Sequence, residues 1–376
     1  MSEIKYVNRR QKHLGLVSLL CLLSLFFSCN KKDEKTPLKT RTVIVYMIGD
    51  NNLDSYVELD INEMERGWKD SFDGNLIVYV DQKGESPYIL KISSDRTNAI
   101  VSEEVMKYSE QNSSSLEVME RTLSDIKNMY PAESYGLILW SHASGWLPAT
   151  SSSVTRAFGD DDGKHMEITE LAKLSGKYDF LIFDACDMMG VETVYELKHN
   201  ADYIVASVTN ILAGGFPYDD ILEYLFLKNA DLVSVSQKFM DLYRSYSSLE
   251  MQTAALSVVK TGNLDNLAAV SRSLIQKYGN NIANIDLSKI QKYDSDEVTL
   301  FFDFWDFMEN IARNDSELQT LRDQLDSIVI FEDHTQFIMN MFEIERSCGL
   351  SCYILGQSRG LDNIYKNMSW YNTVYR

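Results

Sequence analysis

The sequence predicts an α/β protein built on a mostly parallel sheet with helices on both faces. Short apolar runs rich in β-branched residues recur between residues 42 and 207, and helical patterns separate them. A continuous apolar run of this length is typical of a strand that is buried on both faces. Strands that alternate with helices form parallel sheets, because each crossover helix packs on one face of the sheet.

The folded part is expected to begin at residue 41 and to continue to residue 376 as one domain. The predicted strands cover residues 42–48, 75–80, 135–140, 178–183, 203–207, 253–259 and 350–355. The predicted helices cover residues 52–68, 115–130, 167–176, 188–200, much of 216–247, 261–279, 298–312 and 315–328. Residues 147–166 and 280–297 are polar and are predicted to be loops. Residues from about 250 onward are a candidate carboxyl-terminal lobe of the same domain.

The amino terminus has the layout of a secretory signal. A basic region, residues 5–12, precedes the apolar residues 14–27, which are followed by a serine and Cys29. The apolar run is too short to predict a membrane span. A small residue directly before a cysteine resembles a bacterial lipobox. We therefore predict a lipoprotein signal peptide at residues 1–28, lipid attachment at Cys29 and a tether at residues 29–40, with a plain signal peptide or an uncleaved anchor as the alternatives.

Charge and composition indicate where the chain is located and which partners it can have. Residues 30–35 contain a lysine-then-acid cluster, which resembles the signal that sends some lipoproteins of anaerobic Gram-negative bacteria to the outer surface. We therefore expect a surface-exposed outer-membrane lipoprotein that its lipid holds to the membrane. The formal net charge of −19 repels phosphate backbones and argues against a nucleic-acid partner.

Two predicted strands each lead directly to a reactive residue type. His142 follows the strand at 135–140, and Cys186 follows the strand at 178–183. In parallel sheets, functional sites gather at the carboxyl ends of the strands. A cysteine thiolate attacks a carbonyl carbon, while an imidazole removes the thiol proton and later protonates the leaving amine. The pattern therefore predicts Cys186 as nucleophile and His142 as base, with inert packing and ordinary hydrogen bonding as the alternatives.

The sequences around these two residues resemble the motifs of clostripain-like peptidases, which are relatives of caspases, legumains and gingipains. The histidine motif is residues 135–146, and the cysteine motif is residues 183–198 with the strand after it. The resemblance covers most of residues 41–376. It implies a caspase-like three-layer sandwich, polypeptide substrates and a Cys–His dyad without an obligatory third member.

The resemblance also implies further roles. The backbone N–H groups of Ala143 and Cys186 would form the oxyanion hole. Many members cut themselves between the two motifs, so Arg156 is a candidate self-processing site, with an ordinary solvated arginine as the alternative. No cofactor or metal is expected, although some members respond to calcium. The adjacent acids at residues 160–162 lack the alternating spacing of a calcium loop, and we predict a solvated loop tip there.

The chain departs from the family pattern beside the dyad. Ala143 stands where glycine is usual, which costs little if its backbone keeps a negative φ. Asp187 stands where an apolar residue is common, and its charge is expected to raise the pKa of the Cys186 thiol. These departures favour an alternative function, a catalytically degenerate peptidase-fold lipoprotein that acts as a surface binding protein. A scaffold subunit of a surface complex is the third hypothesis.

The substrate pocket is expected to differ as well. Members commonly cleave after Arg or Lys, yet residues 207–217 lack the acid that usually binds a basic side chain. Asp184 remains as the candidate substrate-binding residue, because a carboxylate holds Arg or Lys by charge and hydrogen bonds. The alternatives are that Asp184 caps the following helix, and that the pocket is apolar and lined by Ile211 and Leu212.

The two late cysteines, Cys348 and Cys352, are predicted to be small core residues. In an extended segment their Cα atoms would be roughly 13 Å apart, which is too far for a disulfide. No pair of cysteines or cluster of histidines in the sequence has the spacing of a zinc site.

Overall fold

The computed structural model describes residues 38–148, 157–295 and 298–376. The expected signal peptide, the lipid-attachment residue Cys29 and the candidate self-processing residue Arg156 lie outside the described residues. No helix among the described residues is both long enough and apolar enough to cross a membrane.

A nine-stranded sheet forms the centre of the protein. Its strands are β1 (Lys39–Gly49), β2 (Gly74–Gln82), β3 (Tyr88–Lys91), β4 (Glu103–Lys107), β5 (Ala132–Trp140), β8 (Tyr178–Asp184), β9 (Ala201–Ala206), β10 (Ala255–Lys260) and β12 (Val329–His334). The order across the sheet is β12-β10-β9-β8-β5-β1-β2-β3-β4. The middle strands from β9 to β2 are parallel, and the strands toward both edges are antiparallel.

Three short strand pairs lie outside the large sheet among the described residues. They are β6 (Phe158–Asp161) with β7 (Lys164–Met166), β11 (Phe302–Asp303) with β15 (Ser351–Cys352), and β13 (Phe337–Ile338) with β14 (Phe342–Glu343). The helices are α1 (Asp54–Gly67), α2 (Leu116–Met129), α3 (Ile168–Leu171), α4 (Val191–Glu196), α5 (Tyr218–Leu225), α6 (Leu232–Ser245), α7 (Leu264–Tyr278), α8 (Phe304–Ile311), α9 (Glu317–Ile328), α10 (Arg359–Tyr365) and α11 (Ser369–Val374).

Helices cover both faces of the sheet, and strand β1 shows why. Its residues Val43 and Val45 point into a core beneath α1, α5 and α6, while Ile44 and Tyr46 point into a second core beneath α2, α4 and α7. All four side chains are fully buried. Because both faces of the strand are covered, its sequence is continuously apolar rather than alternating. The predicted fold class, a mostly parallel sheet with helices on both faces, is confirmed.

The structure corrects two predictions on the late strand and the long loop. The strand predicted at 350–355 is present only as Ser351–Cys352, and it pairs with β11 instead of the large sheet. Residues 147–166 are not wholly a loop, because they contain the hairpin of β6 and β7. The hairpin forms because residues 162 and 163 adopt positive φ at its turn.

The predicted solvated tip at residues 160–162 is wrong for two of its three acids. Asp160 and Asp161 lie in β6 and are buried, and only Asp162 is exposed at the turn. Asp161 is held inside because it accepts a hydrogen bond from the backbone N–H of Ser113 at 2.5 Å. The Asp160 carbonyl accepts a bond from the Asn51 amide at 2.7 Å. Within the described ranges, no group of three or more His, Cys, Asp or Glu side chains has the arrangement of a metal site.

The late cysteines are buried free thiols, as predicted. The Cys348 sulfur accepts a bond from the Trp305 N–H at 3.4 Å, and Cys352 belongs to the core beneath α4 and α7. Residues Lys39–Arg376 cluster as one compact unit, which includes the carboxyl-terminal helices α10 and α11.

Candidate active site

The predicted nucleophile and base lie at neighbouring strand ends. Strands β5 and β8 are parallel, and Trp140 at the end of β5 pairs in register with Asp184 at the end of β8. His142 lies two residues after Trp140, and Cys186 lies two residues after Asp184. Both side chains are partly exposed and line one pocket of about 100 Å³. The sheet register therefore explains how residues so far apart in sequence meet at one pocket.

Asn52 orients the His142 ring. Its Oδ1 lies 2.5 Å from His142 Nε2, and an amide oxygen can only accept, so Nε2 carries the hydrogen in this bond. In the neutral ring the basic nitrogen is then Nδ1. The backbone is fixed as well, because the His142 carbonyl accepts from the Gly159 N–H at 2.9 Å. Asn52 had no predicted role, although it lies three residues after the end of β1, and β1 pairs with β5 in the sheet.

Cys186 is held as a neutral thiol. The partly exposed sulfur is shielded from much of the water by the pocket walls, and this desolvation, together with the charge of Asp187, raises the pKa of Cys186 to about 12. The Ile211 N–H donates to the sulfur at 3.4 Å and partly opposes this rise. The charge of Asp187 raises the pKa of the thiol, as predicted, but the desolvation of the sulfur raises it more. Asp187 itself adopts a φ of 60°, a left-handed conformation that aspartate tolerates better than most residues.

The two residues expected to form an oxyanion hole lie at these same strand ends. Ala143 follows His142 directly, is 9% exposed and pairs with Phe158 through an isolated β-bridge. Its φ is negative, so the replacement of the usual glycine costs little backbone energy.

Asp184 ties the end of β8 to a neighbouring loop. Its Oδ2 accepts from the Phe216 N–H at 3.2 Å and from the Tyr218 hydroxyl at 2.9 Å. Gly215 has a φ of 54°, and a Cβ there would lie 2.6 Å from Asp184 Oδ2, so the loop needs glycine at this position. Burial raises the pKa of Asp184 to about 6. The helix-cap interpretation is wrong, because α4 begins at Val191 without any side-chain cap.

The walls of the pocket are mainly apolar. They include Leu53, Ile211 and Leu212, as the apolar alternative expected. Among the lining residues that the structure describes, Asp184 carries the only carboxylate. A second buried carboxyl, Asp60, lies near Asp184 and accepts from the Trp140 indole at 2.7 Å. Burial and the charge of Asp184 raise the pKa of Asp60 to about 9, so Asp60 is neutral at pH 7.

Comparison with known protein families identifies a match along nearly the whole folded part. The model of the clostripain family matches residues 45–372. Clostripain of Hathewaya histolytica is 29% identical to this chain over 228 residues, which cover 51% of this chain and 43% of that protein. The chain thus aligns with less than half the length of that relative.

Two solved structures are similar over nearly their full length. An inactive zymogen C11 protease from Parabacteroides distasonis is 31% identical, with a TM-score of 0.81 over 91% of this chain and 99% of the other. A secreted C11 cysteine protease from Bacteroides thetaiotaomicron, in complex with an irreversible peptide inhibitor, is 30% identical, with a TM-score of 0.77 over 89% and 98%.

Proposed function

This chain belongs to the clostripain family, and we propose that it is a cysteine endopeptidase with Cys186 as nucleophile and His142 as base. The observation that carries the proposal is the shared pocket at the paired ends of β5 and β8, which His142 and Cys186 both line. The similarity to a cysteine protease bound to an irreversible peptide inhibitor supports a peptide substrate.

The proposed reaction passes through an acyl-thioester. His142 removes the thiol proton of Cys186 as the sulfur attacks the carbonyl carbon of the scissile bond. The N–H groups of Ala143 and Cys186 stabilise the oxyanion of the tetrahedral intermediate. The imidazolium then gives its proton to the leaving amine, and the carbon–nitrogen bond breaks. A water attacks the thioester, His142 takes its proton, and the carboxylic acid leaves as the thiol is restored.

The proposal requires His142 to do more than orient the thiol. A thiol with a pKa of about 12 is almost entirely protonated at pH 7. The thiolate must therefore form by proton transfer to His142 during attack. The hydrogen bond from His142 Nε2 to Asn52 supports this transfer, because it holds the ring in the tautomer whose basic nitrogen is Nδ1.

Replacing Asn52 with alanine is expected to lower kcat/KM about tenfold, since the base loses its orienting partner while the dyad remains. Asn52→Asp keeps an acceptor oxygen at the same place and is expected to retain most of the activity. Steady-state kinetics of the two variants would check this. Equal losses in both variants would contradict the orienting role of Asn52.

We propose that the pocket accepts Arg or Lys and that Asp184 provides the carboxylate. Asp184 is the one acid among the described lining residues, and a basic side chain would compensate its buried charge. The apolar residues Leu53, Ile211 and Leu212 would pack along the methylene stem of such a side chain.

We further propose that the protein is an outer-membrane lipoprotein anchored through Cys29 and processed after Arg156. The similar zymogen from Parabacteroides distasonis supports a precursor state, and the signal-like residues 1–28 support export. Intact-mass analysis of protein from the outer-membrane fraction is expected to find a lipid on Cys29 and a new amino terminus at residue 157. A soluble, uncut chain would contradict both parts.

A further inference from the structure

The carboxyl-terminal segment, residues 350–376, supports both loops that carry the proposed dyad. We call residues 141–147 the base loop and residues 184–190 the nucleophile loop. The Ser351 N–H donates to the Met189 carbonyl at 3.0 Å, at the end of the nucleophile loop. On the other loop, the Trp146 ring packs against the rings of both Tyr353 and Tyr365, at centroid distances of 5.0 and 5.1 Å.

Glu192 joins these contacts. It is the second residue of α4, directly after the nucleophile loop, and its side chain is fully buried. Its Oε1 accepts from the Tyr353 N–H at 2.8 Å and from the Tyr365 hydroxyl at 3.1 Å. These are the two residues whose rings hold Trp146. A buried carboxylate is costly unless donors satisfy it, so Glu192 fixes where both tyrosines can lie.

The second oxygen of Glu192 and two other buried oxygens lie close to Gly190. Within the described part of the chain, Glu192 Oε2, Thr193 Oγ1 and Ser351 Oγ have no hydrogen-bond partner. A Cβ on Gly190 would lie 3.2, 3.8 and 3.4 Å from these atoms respectively, so they surround the end of the nucleophile loop. A carboxamide at position 192 replaces this second oxygen with an NH₂ group, from which the Thr193 and Ser351 hydroxyl oxygens can accept, while its own oxygen still accepts from both tyrosines.

The two loops also touch each other directly. Gly145 of the base loop has a φ of 61°, and a Cβ there would lie 2.6 Å from the carbonyl oxygen of Asp187. This close backbone approach joins the loops directly, and the contacts around Glu192 join them through Tyr353 and Tyr365. Neither loop is a regular strand or helix at the dyad itself, so these contacts add to the pairing of β5 with β8 in holding the loops at their separation.

We propose that Glu192 is a positioning residue for the dyad, which holds the nucleophile loop and the base loop at one separation through Tyr353 and Tyr365. The inference rests on the proposed peptidase function. Replacing Glu192 is expected to lower the rate, because the reacting groups must stay close together and a displacement of about 1 Å can cost about 10²-fold.

The chain offers a matched control at Glu65 on α1. Glu65 is also buried, and its Oε2 also has no partner among the described residues. Its Oε1 also accepts two hydrogen bonds, in this case both from backbone N–H groups, those of Val101 and Ser102. Its hydrogen-bond partners lie beside α1, outside both loops. Glu65→Ala therefore removes an equivalent set of bonds without touching the proposed support.

The test compares Glu192→Ala, Glu192→Gln and Glu65→Ala in the full chain, with kcat expressed per active site titrated by a thiol-directed peptide probe. Glu192→Ala is expected to lower kcat about tenfold with KM within about twofold, while Glu192→Gln stays within about threefold of wild type. Glu65→Ala is expected to lower the melting temperature but not kcat per titrated site.

Equal kcat values for Glu192→Ala and Glu65→Ala would overturn the inference, as would a loss in Glu192→Gln as large as that in Glu192→Ala. If Glu192→Ala does not fold, Tyr365→Phe replaces it, because this change removes one donor and keeps the ring. An unchanged kcat in that variant overturns the inference.

A wild-type chain that neither labels nor cleaves removes the proposed function and this inference together. Normal wild-type turnover with unaffected variants removes the inference alone.

Discussion

Replacing Cys186 with alanine is expected to abolish cleavage of a mixed peptide library by residues 30–376, with a loss in kcat on the order of 10⁴-fold or more. The reason is chemical, because no acyl-thioester can form without the sulfur. The fold should persist, since the side chain is small and partly exposed. Mass spectrometry of the library after incubation with each protein measures the loss and identifies the bonds that the wild type cuts.

Two comparisons make this result specific. Cys348→Ala removes a buried thiol elsewhere in the core and is expected to leave cleavage intact. Reductant is present throughout, and parallel samples with calcium and with chelator test whether this chain responds to calcium as some members of the family do. If wild type and Cys186→Ala both fail to cut any peptide, the binding-protein hypothesis becomes the better one. A stable partner in pull-down that does not depend on Cys186 would favour the scaffold hypothesis.

The central strands were predictable because a strand that is buried on both faces has a continuous apolar sequence. Each of β1, β2, β5, β8 and β9 contains a run of residues that lie alternately in one of two cores, so these runs are apolar and uninterrupted. The edge strands β3, β4 and β12 gave no such signal. Several of their side chains are exposed or half-buried, and a mixed short segment is not distinguishable from a loop by its pattern.

The parts of the site that sequence reasoning missed depend on contacts between distant segments. His142 and Cys186 follow recognisable strands, so the rule on strand ends brought them together. The bond from His142 to Asn52 and the burial of Asp161 by Ser113 join residues far apart in the chain. The carboxyl-terminal support around Glu192 is of the same kind. Local pattern carries no information about such pairs.

Asp184→Asn is expected to lower the preference for Arg or Lys over neutral residues by about 10- to 100-fold, because the charged hydrogen bond to the substrate is lost. The amide has nearly the same shape and still accepts from Phe216 and Tyr218, so the loop should keep its position. Ratios of kcat/KM for matched substrates that differ only in the residue before the cleaved bond measure the effect.

The pH dependence of the same ratio separates a recognition role for Asp184 from a structural one. With a pKa of about 6, Asp184 is charged above that pH and neutral below it, so the wild-type preference for a basic residue should fall as pH decreases through 6. The Tyr218 hydroxyl bond lowers this pKa, and Tyr218→Phe should therefore move the loss to higher pH while the preference survives. If the enzyme instead cuts after apolar residues and neither variant changes that choice, Asp184 serves to hold the loop at Phe216, and Ile211 and Leu212 define the pocket.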